Sequence, residues 1–181
     1  IGGAPSPGVD VQIYDGTNWT AAAANMNTAK YAGTGFGTTT AALATGGEVT
    51  ATIEEAETFD GSSWTEVSDL NAERAYLSGF GTTTAGIAVG GFNPPNATLL
   101  GNTETWNGTA WTEGNDLNTA RVKLNAVGIT TAGLVFAGGG PPTDISALTE
   151  EYDGTSWAEV GDLSTATGSS SASGTATSAL S

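Results

Sequence analysis

The chain has 181 residues, 19 acidic against 4 basic side chains, a net charge of −15, and neither Cys nor His. Its length suits a single domain. Four basic residues cannot neutralise a phosphate backbone or coat an anionic membrane, and the missing Cys and His remove thiol nucleophiles, disulfides, Cys/His zinc sites and imidazole bases. Charged residues make up only 13% of the chain, so Thr, Ser, Asn and Gly must cover the surface, a composition that favours strands joined by tight turns over helices. No apolar run reaches the length of a membrane-spanning helix. With Ile1 first and neither an initiator Met nor a signal peptide visible, the expectation is a processed chain or a segment of a longer one.

In chain order, Gly2-Gly3 and a Pro-containing loop over residues 4–8 lead into a first hairpin. It has Tyr14 and Trp19 on either side of Asp15-Gly16. Strands are predicted at 31–36 and 41–45 around the turn Gly37-Thr38-Thr39-Thr40, then at 53–59 and 63–67 around Asp60-Gly61. The pattern then repeats. Gly81-Thr82-Thr83-Thr84 and Gly128-Ile129-Thr130-Thr131 mark the later counterparts of the first turn, and Asn107-Gly108 and Asp153-Gly154 those of the second. Asp-Gly or Asn-Gly between β-prone runs signals a two-residue type I′ hairpin turn. Apolar runs end in the pairs Gly46-Gly47, Gly90-Gly91 and Gly138-Gly139, and Trp19, Trp64, Trp111 and Trp157 follow one another at 45, 47 and 46 residues.

A period of that length with four short strands per unit fits a propeller blade. The fold expected is therefore all-β: a β-propeller or propeller segment of four repeats of about 46 residues, with four antiparallel strands per blade. The units are roughly 1–46, 47–90, 91–138 and 139–181 of one repeat domain. The strands at the two ends of the sequence would jointly complete one blade. The aromatic pairs Tyr14/Trp19, Phe59/Trp64, Trp106/Trp111 and Tyr152/Trp157 are expected to be hidden between neighbouring units. Residues 164–181 hold only Ser, Thr, Ala, Gly and one Leu, so the last unit is expected to pack less well.

The double Gly after an apolar strand, then an aromatic, then a Trp a few residues on, resembles the kelch repeat, four times over. The Thr- and Gly-rich form seen in Glu150-Glu151-Tyr152-Asp153-Gly154-Thr155-Ser156-Trp157 is similar to the kelch-like repeats of bacteriophage structural proteins. The resemblance implies an interaction module rather than an enzyme. In a phage particle it implies a tail fibre, decoration or receptor-binding role, at the virion surface or outside the cell. Its partners would be neighbouring subunits or a cell-surface glycan or receptor, and no cofactor is expected.

Three groups of side chains compete as sites. A basic residue recurs at Lys30, Arg74 and Arg121, with Thr167 at the fourth position. It could form a ring of cations around a channel, or could pair with a nearby Asp or the next blade, the reading preferred here. Glu54, Glu55 and Glu57, and again Glu150 and Glu151, could hold a hard cation such as calcium, or could be a solvated outer face that blunts a sheet edge. The preferred binding candidates are the loops after the Gly-Gly pairs, with Phe92, Asn93, Pro94, Pro95 and Asn96 in one and Pro141, Pro142, Thr143 and Asp144 in another. They vary while the strands repeat, and Pro stiffens them, which lowers the entropy cost of binding. No catalytic, cofactor or metal residue is assigned. The alternative function is a propeller-scaffold glycosidase acting through carboxylates, although no acidic pair is marked out by its spacing.

Overall fold

A computed structural model describes residues 6–93, 98–141, 143–169 and 171–180, the last of these without its side chain. The chain is all-β, and no helix occurs among the described residues. After a hairpin of β1 (Gln12–Tyr14) and β2 (Trp19–Ala21) come three four-stranded antiparallel meanders. The first runs β3 (Thr34–Thr38), β4 (Ala41–Thr45), β5 (Ala56–Phe59) and β6 (Trp64–Glu66). The second joins β7 (Ser78–Thr82) and β8 (Ala85–Val89), past a small ribbon of β9 (Phe92–Asn93) and β10 (Thr98–Leu99), to β11 (Thr103–Trp106) and β12 (Trp111–Glu113). The third comprises β13 (Asn125–Ile129), β14 (Ala132–Phe136), β15 (Thr149–Tyr152) and β16 (Trp157–Glu159), and a last hairpin follows as β17 (Ser173–Thr175) and β18 (Ser178–Leu180).

The sheets follow one another through their first strands: β3 lies against β7, β7 against β13, and β13 against β17. Each interface buries apolar side chains from both sides. Phe80, Ile87 and Val89 of the second sheet meet Val135, Tyr152 and Trp157 of the third, and Leu117 and Leu124 from the linker complete the cluster. The aromatic pairs of the three full sheets are buried as expected, with ring centroids 4.8–5.2 Å apart. The first pair is the exception: Tyr14 is 48% and Trp19 67% exposed. Among the described residues the expected joint blade is not formed. β1–β2 packs on the first sheet and β17–β18 on the third, and the two hairpins remain separate two-stranded sheets.

Interlocking depends on size. Phe36, at the middle of β3, meets the next sheet where Gly86 lies opposite Trp106, and Phe80 meets the following one where Gly133 lies opposite Tyr152. A Cβ on either glycine would collide with the phenyl ring. Gly46 and Gly90 serve a different approach. They hold φ of 63° and 68°, and a Cβ there would lie 2.9 and 2.8 Å from the carbonyl oxygens of Arg74 and Arg121 in the linker to the next sheet.

The Asp-Gly hairpins differ from the expected two-residue turn. Phe59 pairs with Trp64, so four residues form the loop, and only Gly61 (φ 96°) enters the left-handed region. The Asp60 carboxylate supplies the missing geometry by accepting the backbone N–H groups of Ser62 and Ser63, each at 2.8 Å. Asp15 and Asp153 repeat these bonds, and Asn107 makes them with its amide oxygen. The N–H of Ser63, then that of Ser62, lowers the Asp60 pKa from 3.8 to about 2. The folded state thus holds fewer protons than the unfolded one between those values, so this group stabilises the fold above pH 3.8 and the contribution disappears as pH falls through about 2. Asp60→Asn should keep the turn, as Asn107 does, and remove the titration. Urea unfolding between pH 4 and 2 should show a shallower acid loss for the variant than for the parent, and equal slopes would refute the assignment.

Candidate functional site

The three repeated cations do not face a channel. Lys30, Arg74 and Arg121 are all buried, and each meets a buried Glu on the third strand of the sheet that follows it: Glu57, Glu104 and Glu150. Arg121 Nη2 donates to Glu150 Oε1 at 2.6 Å, while Nη1 donates to the Leu148 carbonyl at 2.6 Å. The second carboxylate oxygen accepts Asn118 N at 2.7 Å and its Nδ2 at 2.9 Å. Arg74 and Asn71 bind Glu104 in the same way. Lys30 is looser, 3.6 Å from Glu57, which also accepts the N–H groups of Asn27 and Thr28. Burial lowers the Arg74 pKa, and the Glu104 charge opposes that shift. These clamps fasten each linker to the next sheet. The expected solvated acidic face is corrected for Glu57 and Glu150, which alternation places inward, whereas Glu54 and Glu151 remain exposed. Among the described residues no group of three acidic side chains is arranged to hold a metal ion.

Two residues beyond each of the three clamps, and two beyond Thr167, the chain turns left-handed, at Ala32, Tyr76, Lys123 and Ser169, with φ between 53° and 58°. Such a conformation costs a non-glycine residue roughly 1–3 kcal/mol and persists only where its surroundings enforce it. Here a backbone ladder does so: Tyr76 N donates to Ala32 O at 2.7 Å, Lys123 N to Tyr76 O at 3.0 Å, and Ser169 N to Lys123 O at 3.2 Å. The ladder runs from sheet to sheet and brings Tyr76 and Lys123 to the same end of the molecule as the loops after the Gly-Gly pairs.

A cavity of about 230 Å³ opens there. Tyr76, Phe92, Leu99, Val122, Lys123, Pro141 and Asp144 line it. Backbone bonds between Phe92 and Ala75, at 2.8 and 3.0 Å, tie the first loop to the ladder. Lys123 Nζ donates to Asp144 Oδ2 at 2.8 Å and lies 5.6 Å from the centre of the Tyr76 ring. With Lys30, Arg74 and Arg121 enclosed, Lys123 is the basic side chain that remains within reach of solvent. The cavity therefore combines an aromatic and aliphatic lining with one cation and one carboxylate, paired with each other.

Of the loop residues singled out in the sequence, the structure brings Phe92, Pro141 and Asp144 together and leaves Asn93 and Thr143 outside the cavity. Pro94, Pro95, Asn96 and Pro142 lie outside the described residues. Tyr76, Leu99, Val122 and Lys123 were not anticipated.

No protein-family model and no curated protein matches the chain. Solved structures do. The structure of YjhT superposes with a TM-score of 0.68 at 12% identity, over 83% of this chain and 57% of that one. The chain thus spans little more than half the length of YjhT, and at this identity the likeness is one of fold alone. The class defined is an all-β repeat of antiparallel four-stranded sheets.

Proposed function

We propose that the chain is an arc of a kelch-like β-propeller that acts as a non-catalytic interaction module, binding a partner at its loop face as part of a virion-surface or fibre assembly. The cavity between Tyr76, Phe92 and the Lys123–Asp144 pair carries this reading. It is built from loop side chains on a rigid ladder, and it holds the accessible cation of a strongly acidic chain. An aromatic wall beside a polar donor and acceptor suits a sugar ring or a protein loop, the partners expected of a receptor-binding surface.

Screening against a glycan array and a set of cell-surface receptors, together with a glycoside hydrolysis assay, tests the proposal. Binding without turnover is expected, and hydrolysis of any sugar would overturn it in favour of the glycosidase. Tyr76→Ala and Lys123→Ala should each weaken the bound partner about tenfold or more, as truncation of a pocket anchor does. The Lys123–Asp144 pair is about one-third exposed, so Lys123→Ala should change stability by less than about 1 kcal/mol. Unchanged affinity in both variants would remove the cavity from the account.

A further inference from the structure

One unit of the repeat departs from the others at its second turn. The position held by Asp15, Asp60 and Asp153 is Asn107, and Asn107-Gly108 is the chain's one Asn-Gly pair. The turn is otherwise the same. Asn107 N donates to Ala110 O at 3.2 Å, and Asn107 Oδ1 accepts the N–H groups of Thr109 and Ala110, each at 2.9 Å. Gly108 holds φ of 94°, against 96° at Gly61 and Gly154. All four loop residues are exposed. The loop belongs to the second sheet, which has a neighbour on either side, so its exposure does not come from where the sequence begins or ends.

This arrangement favours a reaction of the side-chain amide. Among the described residues neither the Gly108 N–H nor the Asn107 Nδ2 has a hydrogen-bond partner, so the attacking nitrogen and the leaving group are both free. Glycine at the attacking position brings no side chain against Asn107 Cγ. When hydroxide takes the Gly108 amide proton and the nitrogen adds to Cγ, the C=O electron pair moves onto Oδ1. The Thr109 and Ala110 N–H groups already point at that oxygen, at the spacing of donors that stabilise a developing oxyanion. Collapse of the adduct breaks Cγ–Nδ2, and the nitrogen takes a proton from water and leaves as ammonia. A five-membered succinimide remains, and water opens it. Attack at Cγ breaks the bond from Cγ to the Gly108 nitrogen and gives aspartate on an unchanged main chain. Attack at the main-chain carbonyl carbon of residue 107 gives isoaspartate, with the chain rerouted through the side chain. In sum one water is consumed and one ammonia released. The two turn donors polarise Cγ and not the main-chain carbon, so the aspartate route is favoured.

We propose that Asn107 is a modification site, deamidated in the folded protein to aspartate, the residue that the other three turns already hold. The Asp15, Asp60 and Asp153 carboxylates make the same pair of bonds at 2.8 Å, so the turn accepts the product. Isoaspartate would instead add an atom to the main chain inside a four-residue loop and part Asn107 N from Ala110 O, next to the paired Trp106 and Trp111. The reaction places one more negative charge beside Thr84, at the other end of β8 from Gly90-Gly91. It does not depend on what the loop face binds.

The parent chain, incubated folded at mildly alkaline pH, should release ammonia and gain the mass difference between NH₂ and OH. Peptide mapping should place the change at Asn107 before any other Asn. Aspartate should exceed isoaspartate there by about threefold to tenfold, the effect of one hydrogen bond, and the ratio should reverse in urea, where the turn donors are lost. Asn107→Asp should release no ammonia from this turn and should keep the parent's urea midpoint near neutral pH. Conversion of Asn107 only after unfolding would overturn the proposal. So would isoaspartate as the main product in the folded chain, or an Asn107→Asp midpoint well below the parent's.

Discussion

Arg74→Ala should lower the unfolding free energy by about 3–5 kcal/mol, the range for removing one partner of a buried ion pair. Arg74 and Glu104 are both fully enclosed, and the guanidinium also satisfies the Asn102 carbonyl at 3.0 Å. Truncation leaves the buried Glu104 carboxylate without its counter-charge, held by Asn71 N and Nδ2 alone, and takes from the Asn102 carbonyl one of its two donors, Gly90 N–H being the other. Arg74→Met with Glu104→Leu should recover only part of the loss, since the Asn71 N–H then has no acceptor at its present position. Lys30→Met should cost less than Arg74→Ala, because Lys30 is 3.6 Å from Glu57 and two backbone N–H groups continue to hold that carboxylate. Urea midpoints for the three variants give this order directly. An Arg74→Ala loss below about 1 kcal/mol would mean that the pair behaves as an exposed one, and a strong salt dependence would say the same.

The strands were legible because their signals are local. Gly-Thr-Thr-Thr turns, Asx-Gly loops and alternating apolar positions each act within a few residues, and the hairpins they specify formed where expected. The turn departs from the two-residue form for a local reason too: the Asp60 side chain competes with the backbone for the Ser62 and Ser63 N–H groups, so the loop widens to four residues. The clamps were half-read. The repeated basic position was seen to favour pairing, but its partners lie 27–30 residues onward at Glu57, Glu104 and Glu150, and a Glu on a strand ordinarily reads as solvent-facing. The signal was present in the repeat register, where Glu recurs two residues before the aromatic of each full sheet. Of the cavity, the variable loops mark only Phe92, Pro141 and Asp144. Tyr76 and Lys123 belong to a ladder formed by three sheets together, and the one hint of it is that Lys123 is the basic residue off the repeat position.

Phe80→Ala should cost about 3–5 kcal/mol, comparable to losing a clamp, because removing the buried ring opens a cavity in the cluster that joins two sheets. Phe80 is buried at the centre of the cluster joining the second and third sheets, against the bare backbone of Gly133. The converse change, Gly133→Ala, places a Cβ in collision with the edge of the phenyl ring and should cost about 1–3 kcal/mol by overpacking. If plug and seat are matched in size, the two positions must couple. The chain carries the smaller match one interface further on: Val127 takes the Phe80 position, beside the positive-φ Gly128, and Ala179 takes the Gly133 position by register. Phe80→Val with Gly133→Ala should therefore be more stable than the sum of the single changes by about 1–2 kcal/mol, within the range of coupling between touching residues. Denaturation of the four proteins closes the cycle. Strict additivity would mean that the glycines serve the turn geometry of their own sheet and not the neighbour's ring, and the interlocking of successive sheets would then need another cause.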